Sequence, residues 1–220
     1  MMCDARLWRP QLDAIDLPSS VADMTSADNI PDLARCVLAE APDEFAAVGL
    51  SMGGILAFEL WRQAPERITH LALLDTNPHA DSAERQSMRV RQLEEVASGR
   101  LRQLAIESLK PAYLAQANRD DETLLDTILQ MAMDLGDDVF RLQTLALKQR
   151  QDSVPTLATI DCPTAVICGS EDTLCPVFLH ELMAHEIHAA ELTIIEKCGH
   201  LSSLEQPADT NTALMRLFAH

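Results

Sequence analysis

The stretch FAAVGLSMGGILAFEL, Phe45 to Leu60, changes from one structural pattern to another at its centre. Its first part is apolar and suits a buried strand, whereas its second part has the apolar spacing of a helix. Three glycines lie close to Ser51 at the junction. Small neighbours let the backbone reverse tightly there, which is typical of a G-x-S-x-G nucleophile elbow. Ser51 is therefore predicted to be a nucleophile, and the alternatives are a helix N-cap serine and a phosphate-binding turn.

A serine hydroxyl is a weak nucleophile, so it needs a histidine to take its proton and a carboxylate to orient that histidine. The run from Val166 to Asp172 is an apolar strand that ends in an acidic turn, and the run from Leu192 to His200 is a strand followed by a loop histidine. The carboxyl ends of parallel strands meet at one edge of a sheet. Asp172 and His200 are therefore predicted to meet Ser51 there, and Asp75, at the end of another strand, is the alternative acid.

Strand patterns alternate with helix patterns along the chain, which predicts an α/β fold with a mostly parallel sheet flanked by helices. The predicted strands are Val21–Met24, Phe45–Leu50, His70–Asp75, Thr164–Cys168 and Glu191–Glu196. The predicted helices are Ile30–Glu40, Met52–Ala64, Pro176–Ala189 and Ala208–Phe218. Residues 81–154 show helical periodicity without a strand, which predicts a helical cap after the third predicted strand, or else extra helical packing. The length favours one domain over residues 1–220.

The composition argues against several classes of partner. Acidic residues outnumber basic residues 34 to 17, and the net charge of −17 disfavours binding to nucleic acid or to anionic lipid. No apolar run reaches the roughly 20 residues of a spanning helix and no secretion signal is visible, so a soluble, cytoplasmic protein without a membrane partner is expected. The 6 cysteines form no C-x-x-C pair, so they are expected to be reduced and buried rather than metal-binding.

The segment HELMAHEIH, His180 to His188, raises the question of a metal site. The H-E-x-x-H motif needs two histidines four residues apart, and position 184 is an alanine. His180, Glu181, His185 and His188 fall on one polar side of the predicted helix. A solvated helix face is therefore expected, and no metal or cofactor is predicted for the protein.

These motifs resemble the α/β-hydrolase family over nearly the whole chain, especially small bacterial esterases and enol-lactone hydrolases. The resemblance rests on GLSMGG, QAPERITHLALLDT, CGSEDTLCP and KCGHLSSLEQP. It implies that Ser51 is the nucleophile, Asp172 the orienting acid and His200 the base. It also implies that Met52 supplies one oxyanion N–H, and that the fold is a mostly parallel sheet of typically eight strands with a helical cap after the sixth.

The N-terminal segment departs from the pattern of that family. In the relatives that it resembles, a glycine at a strand end comes just before such a segment, and the next backbone N–H completes the oxyanion hole. N-terminal strands of the family are therefore expected to be missing, with Met1 or Met2 at the second donor position. The corresponding hypothesis is that the natural polypeptide starts upstream of Met1.

The function expected from these residues is a serine hydrolase that cleaves a small carboxylic ester or lactone through an acyl-enzyme. That small molecule is the expected partner. The alternatives are a hydrolase-fold binding protein with no turnover or impaired turnover, and a carbon-carbon bond hydrolase, thioesterase or perhydrolase that uses the same triad.

Overall fold

The computed structural model describes residues 1–109 and 113–219. Its centre is a parallel sheet of four strands in the order β1-β2-β3-β4. The strands are β1 Phe45–Leu50, β2 Ile68–Leu74, β3 Thr164–Gly169 and β4 Ala190–Ile195. Because every pair is parallel, all four carboxyl ends lie along one edge of the sheet. The predicted α/β fold with a parallel sheet flanked by helices is confirmed.

The inner strands are apolar because helices cover both faces of the sheet. β3 is buried at all of its positions, and β2 is buried from Leu71 to Leu74. The register pairs Leu50 with Leu74, and Leu74 with Ile167. The ends of β1, β2 and β3 are therefore level, and the loops that follow them start side by side.

The helices are numbered in chain order. They are α1 Arg9–Ala14, α2 Ile30–Glu40, α3 Met52–Gln63, α4 Ala83–Ala97, α5 Leu101–Leu104, α6 Glu122–Lys148, α7 Val154–Leu157, α8 Val177–Glu186, α9 Ser202–Glu205 and α10 Pro207–Phe218. Short 3-10 turns cover Ala5–Trp8, Pro65–Arg67 and Gln116–Asn118, and a π-helical turn covers Ala105–Leu109. In the described part of the chain, no helix has the length and apolarity needed to cross a membrane.

The strand predicted at Val21–Met24 is wrong, because this segment has no regular structure. Asp23 turns the chain by accepting a hydrogen bond from the Thr25 N–H at 2.8 Å, and Val21 is 41% exposed. A strand in a parallel sheet needs apolar side chains toward both faces, and this short segment does not provide them. β1 is accordingly an edge strand of the described sheet.

The segment between β2 and β3 holds helices α4 to α7, and no strand occurs in its described residues. The predicted helical insertion therefore follows the second strand of the sheet rather than the third, because the Val21–Met24 strand does not form. Residues 110–112 of this segment lie outside the described residues. α6 contains a break at Gly136, where φ is 75°.

Candidate active site

Ser51 occupies the turn between β1 and α3, at the carboxyl edge of the sheet. Its backbone is in an unusual region, with φ 54° and ψ −111°. The Ser51 N–H donates to the Leu74 carbonyl at 2.9 Å, and the Ser51 carbonyl accepts from the Thr76 hydroxyl at 2.7 Å. Positive φ at a non-glycine residue is costly, and bonds to the neighbouring strand hold Ser51 in this conformation. The half-buried side chain is thereby presented beyond the end of the sheet.

A pair of hydrogen bonds connects Ser51 to a histidine and a carboxylate. His200, in the loop after β4, has its Nε2 atom 2.8 Å from the Ser51 Oγ atom. The His200 Nδ1 atom is 2.8 Å from the Asp172 Oδ2 atom. Asp172 and His200 are only 4% and 3% exposed. The structure thus brings together the three residues that the sequence predicts for a catalytic triad.

Asp172 is held in place by the loop after β3. Its Oδ1 atom accepts hydrogen bonds from the N–H groups of Leu174 at 2.8 Å and Cys175 at 2.9 Å. Two backbone donors leave the other carboxylate oxygen to face His200. This arrangement can fix the imidazole tautomer and stabilise the protonated ring.

Asp75, the alternative acid, has other partners. Its Oδ1 atom accepts from the Gly169 N–H at 3.0 Å, and its Oδ2 atom accepts from the Ser202 hydroxyl at 2.6 Å and from the Ser202 N–H at 3.1 Å. Burial raises the pKa of Asp75 well above its ordinary value, and the nearby Asp172 carboxylate adds to the effect. Asp75 therefore joins the loops after β2, β3 and β4, and His200 is bonded to Asp172.

The predicted oxyanion donors differ in their surroundings. Met52 is the first residue of α3, and no acceptor in the described residues is bonded to its N–H. A free N–H at a helix start can stabilise negative charge. The Met2 N–H donates to the Gln143 Oε1 atom at 2.8 Å. The Met2 N–H therefore already has an acceptor within the protein. The assignment of Met1 or Met2 as the second oxyanion donor stays a prediction.

Residues 5–213 of the chain match the sequence model of the Alpha/beta hydrolase family. The chain belongs to the alpha/beta hydrolase family. The resemblance seen in the elbow and in the strand-end motifs is thereby confirmed.

Relatives of this alpha/beta hydrolase include named enzymes. The chain is 25% identical to a pimeloyl-[acyl-carrier protein] methyl ester esterase of Nitrosomonas europaea, covering 90% of this chain and 81% of the relative. It is also 25% identical to a protein of Azorhizobium caulinodans that is named as a carbamate hydrolase, covering 96% and 85%.

Solved structures show the same fold. A thermophilic esterase from Thermogutta terrifontis is 25% identical with a TM-score of 0.88, over 99% of this chain and 86% of the other. The enol-lactonase from Burkholderia xenovorans is 19% identical with a TM-score of 0.85, over 100% and 88%. The family and these neighbours establish an esterase-like hydrolase fold.

The solvated helix face expected for residues 180–188 is wrong for His180. Glu181, His185 and His188 are exposed, but His180 is fully buried. Its Nε2 atom accepts a hydrogen bond from the Thr76 N–H at 3.0 Å. The sequence contained a signal for this burial, because His180 precedes the core residues Met183 and Ile187 by three and seven positions.

No functional role is predicted from the sequence for two further residues at the site. The Tyr113 ring stacks on the His200 ring with the centroids 5.6 Å apart. The backbone carbonyl of Tyr113 also accepts a hydrogen bond from the backbone N–H of His200 at 2.8 Å. Cys175 is buried beside Asp172. Cys175 lies within the quoted CGSEDTLCP motif, but its place beside Asp172 depends on how the loop after β3 folds. Tyr113 belongs to no quoted motif, and its contact with His200 depends on tertiary packing, so composition and spacing could not identify it.

Among the described residues, Asp172, Cys175 and His200 form a group that could hold a metal ion, because one ligand atom from each lies within 4.8 Å of the others. Burial raises the pKa of the Cys175 thiol well above its ordinary value, and the Asp172 charge adds to this shift. The protonated thiol is a poor ligand. A metal at this position would also compete with the hydrogen bond between Asp172 and His200.

Proposed function

We propose that the chain is a serine hydrolase that cleaves a small carboxylic ester or lactone through an acyl-enzyme. Ser51 is the nucleophile, His200 the general base and Asp172 the residue that orients it. The observation that carries this proposal is the continuous pair of 2.8 Å hydrogen bonds from Ser51 through His200 to Asp172. Membership of the hydrolase family supports it.

In the first half of the reaction, the Ser51 Oγ atom attacks the carbonyl carbon while the His200 Nε2 atom takes the hydroxyl proton. The resulting oxyanion is stabilised by the Met52 N–H. When the intermediate collapses, the bond to the leaving oxygen breaks, and His200 returns the proton to that oxygen. The products of this half are an alcohol and an acyl group on Ser51.

In the second half, His200 removes a proton from water, and the water oxygen attacks the acyl carbon. The bond to Ser51 then breaks, the serine oxygen regains its proton from His200, and the carboxylic acid leaves. A lactone follows the same steps, except that its alcohol stays joined to the acyl group through the carbon chain, so the single product is a hydroxy acid. No redox step is needed in either half.

The names of the relatives support an ester as the substrate. A methyl ester esterase and a thermophilic esterase both match the chain at 25% identity. A carbamate is a second candidate, because several relatives are named as carbamate hydrolases. The same triad would attack the carbamate carbonyl, with an amine or ammonia as the leaving group.

A fluorophosphonate probe tests the proposal, because it reacts with activated serine hydroxyls. We expect one covalent adduct, mapped by mass spectrometry to Ser51 and lost in Ser51→Ala. The exposed Ser87→Ala is the control, and its labelling should equal that of the parent protein. A folded protein that takes up no probe would overturn the proposal and favour a binding protein. Hydrolysis of p-nitrophenyl esters of increasing acyl length would then define the acyl preference.

A further inference from the structure

Three arginines converge beside the candidate active site, and we call Arg85, Arg89 and Arg150 the arginine cluster. Arg85 and Arg89 are four residues apart on α4, so they share one face of that helix. Arg150 follows the end of α6. In the described part of the chain, the ion pairs of this cluster go to Asp81 alone, which contacts the Arg89 Nε atom and lies 3.0 Å from the Arg150 Nη2 atom.

Arg85 connects the cluster to the acid loop. Its Nη2 atom donates a hydrogen bond to the Leu174 carbonyl at 3.0 Å. Leu174 and Cys175 are the residues whose N–H groups hold Asp172. The guanidinium group is therefore in direct contact with the loop that positions the orienting acid.

Arg89 reaches the site by a second, independent set of contacts. Its Nη1 atom lies 3.9 Å from the Met1 Sδ atom. The Met1 carbonyl is 3.4 Å from the Tyr113 hydroxyl, and the Tyr113 ring stacks on His200. Arg85 is thus linked to Asp172 through Leu174, and Arg89 is linked to His200 through Met1 and Tyr113.

The cluster carries more positive charge than its surroundings balance. The side chains of Arg89, Arg150 and Asp81 are only 9%, 4% and 0% exposed. Buried charges are costly unless they are paired, and here Arg89 and Arg150 share the one carboxylate of Asp81, while Arg85 adds a third positive charge nearby. Burial lowers the pKa of Arg150 to about 10, Asp81 opposes this shift, and the like charges of Arg89 and Arg85 add to it.

We propose that Arg85, Arg89 and Arg150 bind a carboxylate group of the substrate, so that the ester or lactone cleaved at Ser51 carries a free carboxylate near its acyl carbon. This inference rests on the proposed function. Guanidinium groups match the planar geometry of a carboxylate and bind it through paired hydrogen bonds. A chain with a net charge of −17 would otherwise repel an anionic substrate, and the cluster gives that substrate a local positive region.

The test compares pairs of substrates with the same shape and different charge. The monoethyl esters of succinic, glutaric and adipic acids are measured against the ethyl esters of the corresponding half-amides, with ethanol release as the readout. We expect kcat/KM to favour the half-acid by at least about tenfold at one or more chain lengths. In Arg89→Met this ratio should fall toward one. Equal rates for half-acid and half-amide at all three lengths would overturn the inference.

Control variants separate binding of the carboxylate from general damage. Arg91→Met removes the same charge from the exposed side of α4, so both rates should equal those of the parent protein. Arg89→Lys keeps a positive charge and should keep part of the preference. If Arg89→Met does not fold, Arg85→Met is used instead, because the Arg85 side chain is half-buried, and its rate ratio should also fall toward one. A preference that survives in both Arg89→Met and Arg85→Met would contradict the assignment.

Fluorophosphonate labelling and hydrolysis of p-nitrophenyl acetate, measured in the same preparation, separate the two proposals. If both occur without a preference for the half-acid, the carboxylate site is refuted and the hydrolase stands. If neither labelling nor hydrolysis occurs, the hydrolase proposal fails, and binding of glutarate then tests whether the arginine cluster binds a carboxylate. Glutarate should then raise the Tm of the parent protein more than neutral glutaramide does, and this effect should be lost in Arg89→Met. Equal shifts for the two compounds would refute the site.

Discussion

At the scale of single residues, two buried carboxylates show how surroundings assign different tasks to one chemical group. Asp172 keeps one oxygen for His200 because backbone N–H groups occupy the other. Asp75 gives both oxygens to Gly169 and Ser202. The sequence places both acids after strands, and only their hydrogen-bond partners distinguish them.

The two acids should respond differently to the same substitution. Asp172→Asn should lower kcat by about 10⁴-fold with little change in folding, because the wrong imidazole tautomer is then favoured. Asp75→Asn should keep probe labelling of Ser51 and lose about 1–3 kcal/mol of unfolding free energy, because an amide NH2 would face an N–H donor. Ester hydrolysis and urea unfolding measure the two effects. Loss of labelling in Asp75→Asn with full activity in Asp172→Asn would reverse the assignment.

His180 gives the folded protein a predictable pH dependence. Burial lowers its pKa to about 4, whereas an unfolded histidine titrates near about 6.5. Between these values the unfolded chain binds a proton that the folded chain does not, so stability falls as the pH falls through this window and is unaffected above it. The titration of His180 should therefore lower the unfolding free energy by about 2 kcal/mol when the pH is lowered from 7 to 5.

Urea unfolding at pH 7 and pH 5 measures this effect. His180→Gln keeps an oxygen that can accept the Thr76 N–H and removes the titration, so its stability should fall less than that of the parent protein. The exposed His185→Gln on the same helix is the control and should behave like the parent. The same pH dependence in His180→Gln and in the parent would show that another group is responsible.

At the scale of elements, the turn from β1 to α3 is the feature that positions the nucleophile. A Cβ atom on Gly49 would lie 2.3 Å from the Gly53 carbonyl carbon, so only glycine fits where the strand passes the first turn of the helix. Gly54 is restricted in the same way by Thr76, at 2.6 Å. A Cβ on Gly53 would meet nothing within 4 Å. The glycines around Ser51 therefore have different physical requirements.

The pair Gly49→Ala and Gly53→Ala tests this difference. Gly49→Ala should lose at least about 3 kcal/mol of unfolding free energy, because backbone atoms cannot move away from the new methyl group. Gly53→Ala should gain roughly 0.5–1 kcal/mol, because alanine is the better helix former. Urea unfolding of both variants is the measurement. Equal stabilities would show that the turn has room that the structure does not indicate.

At the scale of the whole molecule, the charge of −17 opposes the compact state through self-repulsion. Much of the acidic excess is on the surface, whereas the arginine cluster is at the site. Salt screens repulsion between exposed charges, with a Debye length of about 30 Å at 0.01 M and about 10 Å at 0.1 M.

Added salt should therefore raise the Tm. We expect the melting temperature to increase by a few degrees between 10 mM and 200 mM sodium chloride, and calorimetry or fluorescence can measure it. Binding of the half-acid ester should weaken over the same range, since KM for an anion rises with screening, while KM for the half-amide should stay constant. A Tm that falls with added salt would show that attractive ion pairs outweigh the repulsion.

The sequence by itself determined the regular elements whose signals are local. α2 begins and ends where predicted, because Asn29 caps it and Pro31 lies in its first turn. The elbow and the order of Ser51, Asp172 and His200 were also readable, since each follows an apolar strand. The strand predicted at Val21–Met24 does not form, because this segment lacks the apolar side chains that a strand of a parallel sheet buries on both faces.

Tertiary structure alone decided how distant side chains share one site. It placed the Tyr113 ring on the His200 ring, buried His180 beside Thr76, and brought Arg89 and Arg150 to Asp81. Contacts between residues so far apart in the chain depend on how helices pack over the sheet, and local periodicity carries no record of that packing. The physical reason is that strand ends are set by neighbouring residues, whereas burial, charge balance and hydrogen-bond partners are set by whichever element the fold brings alongside.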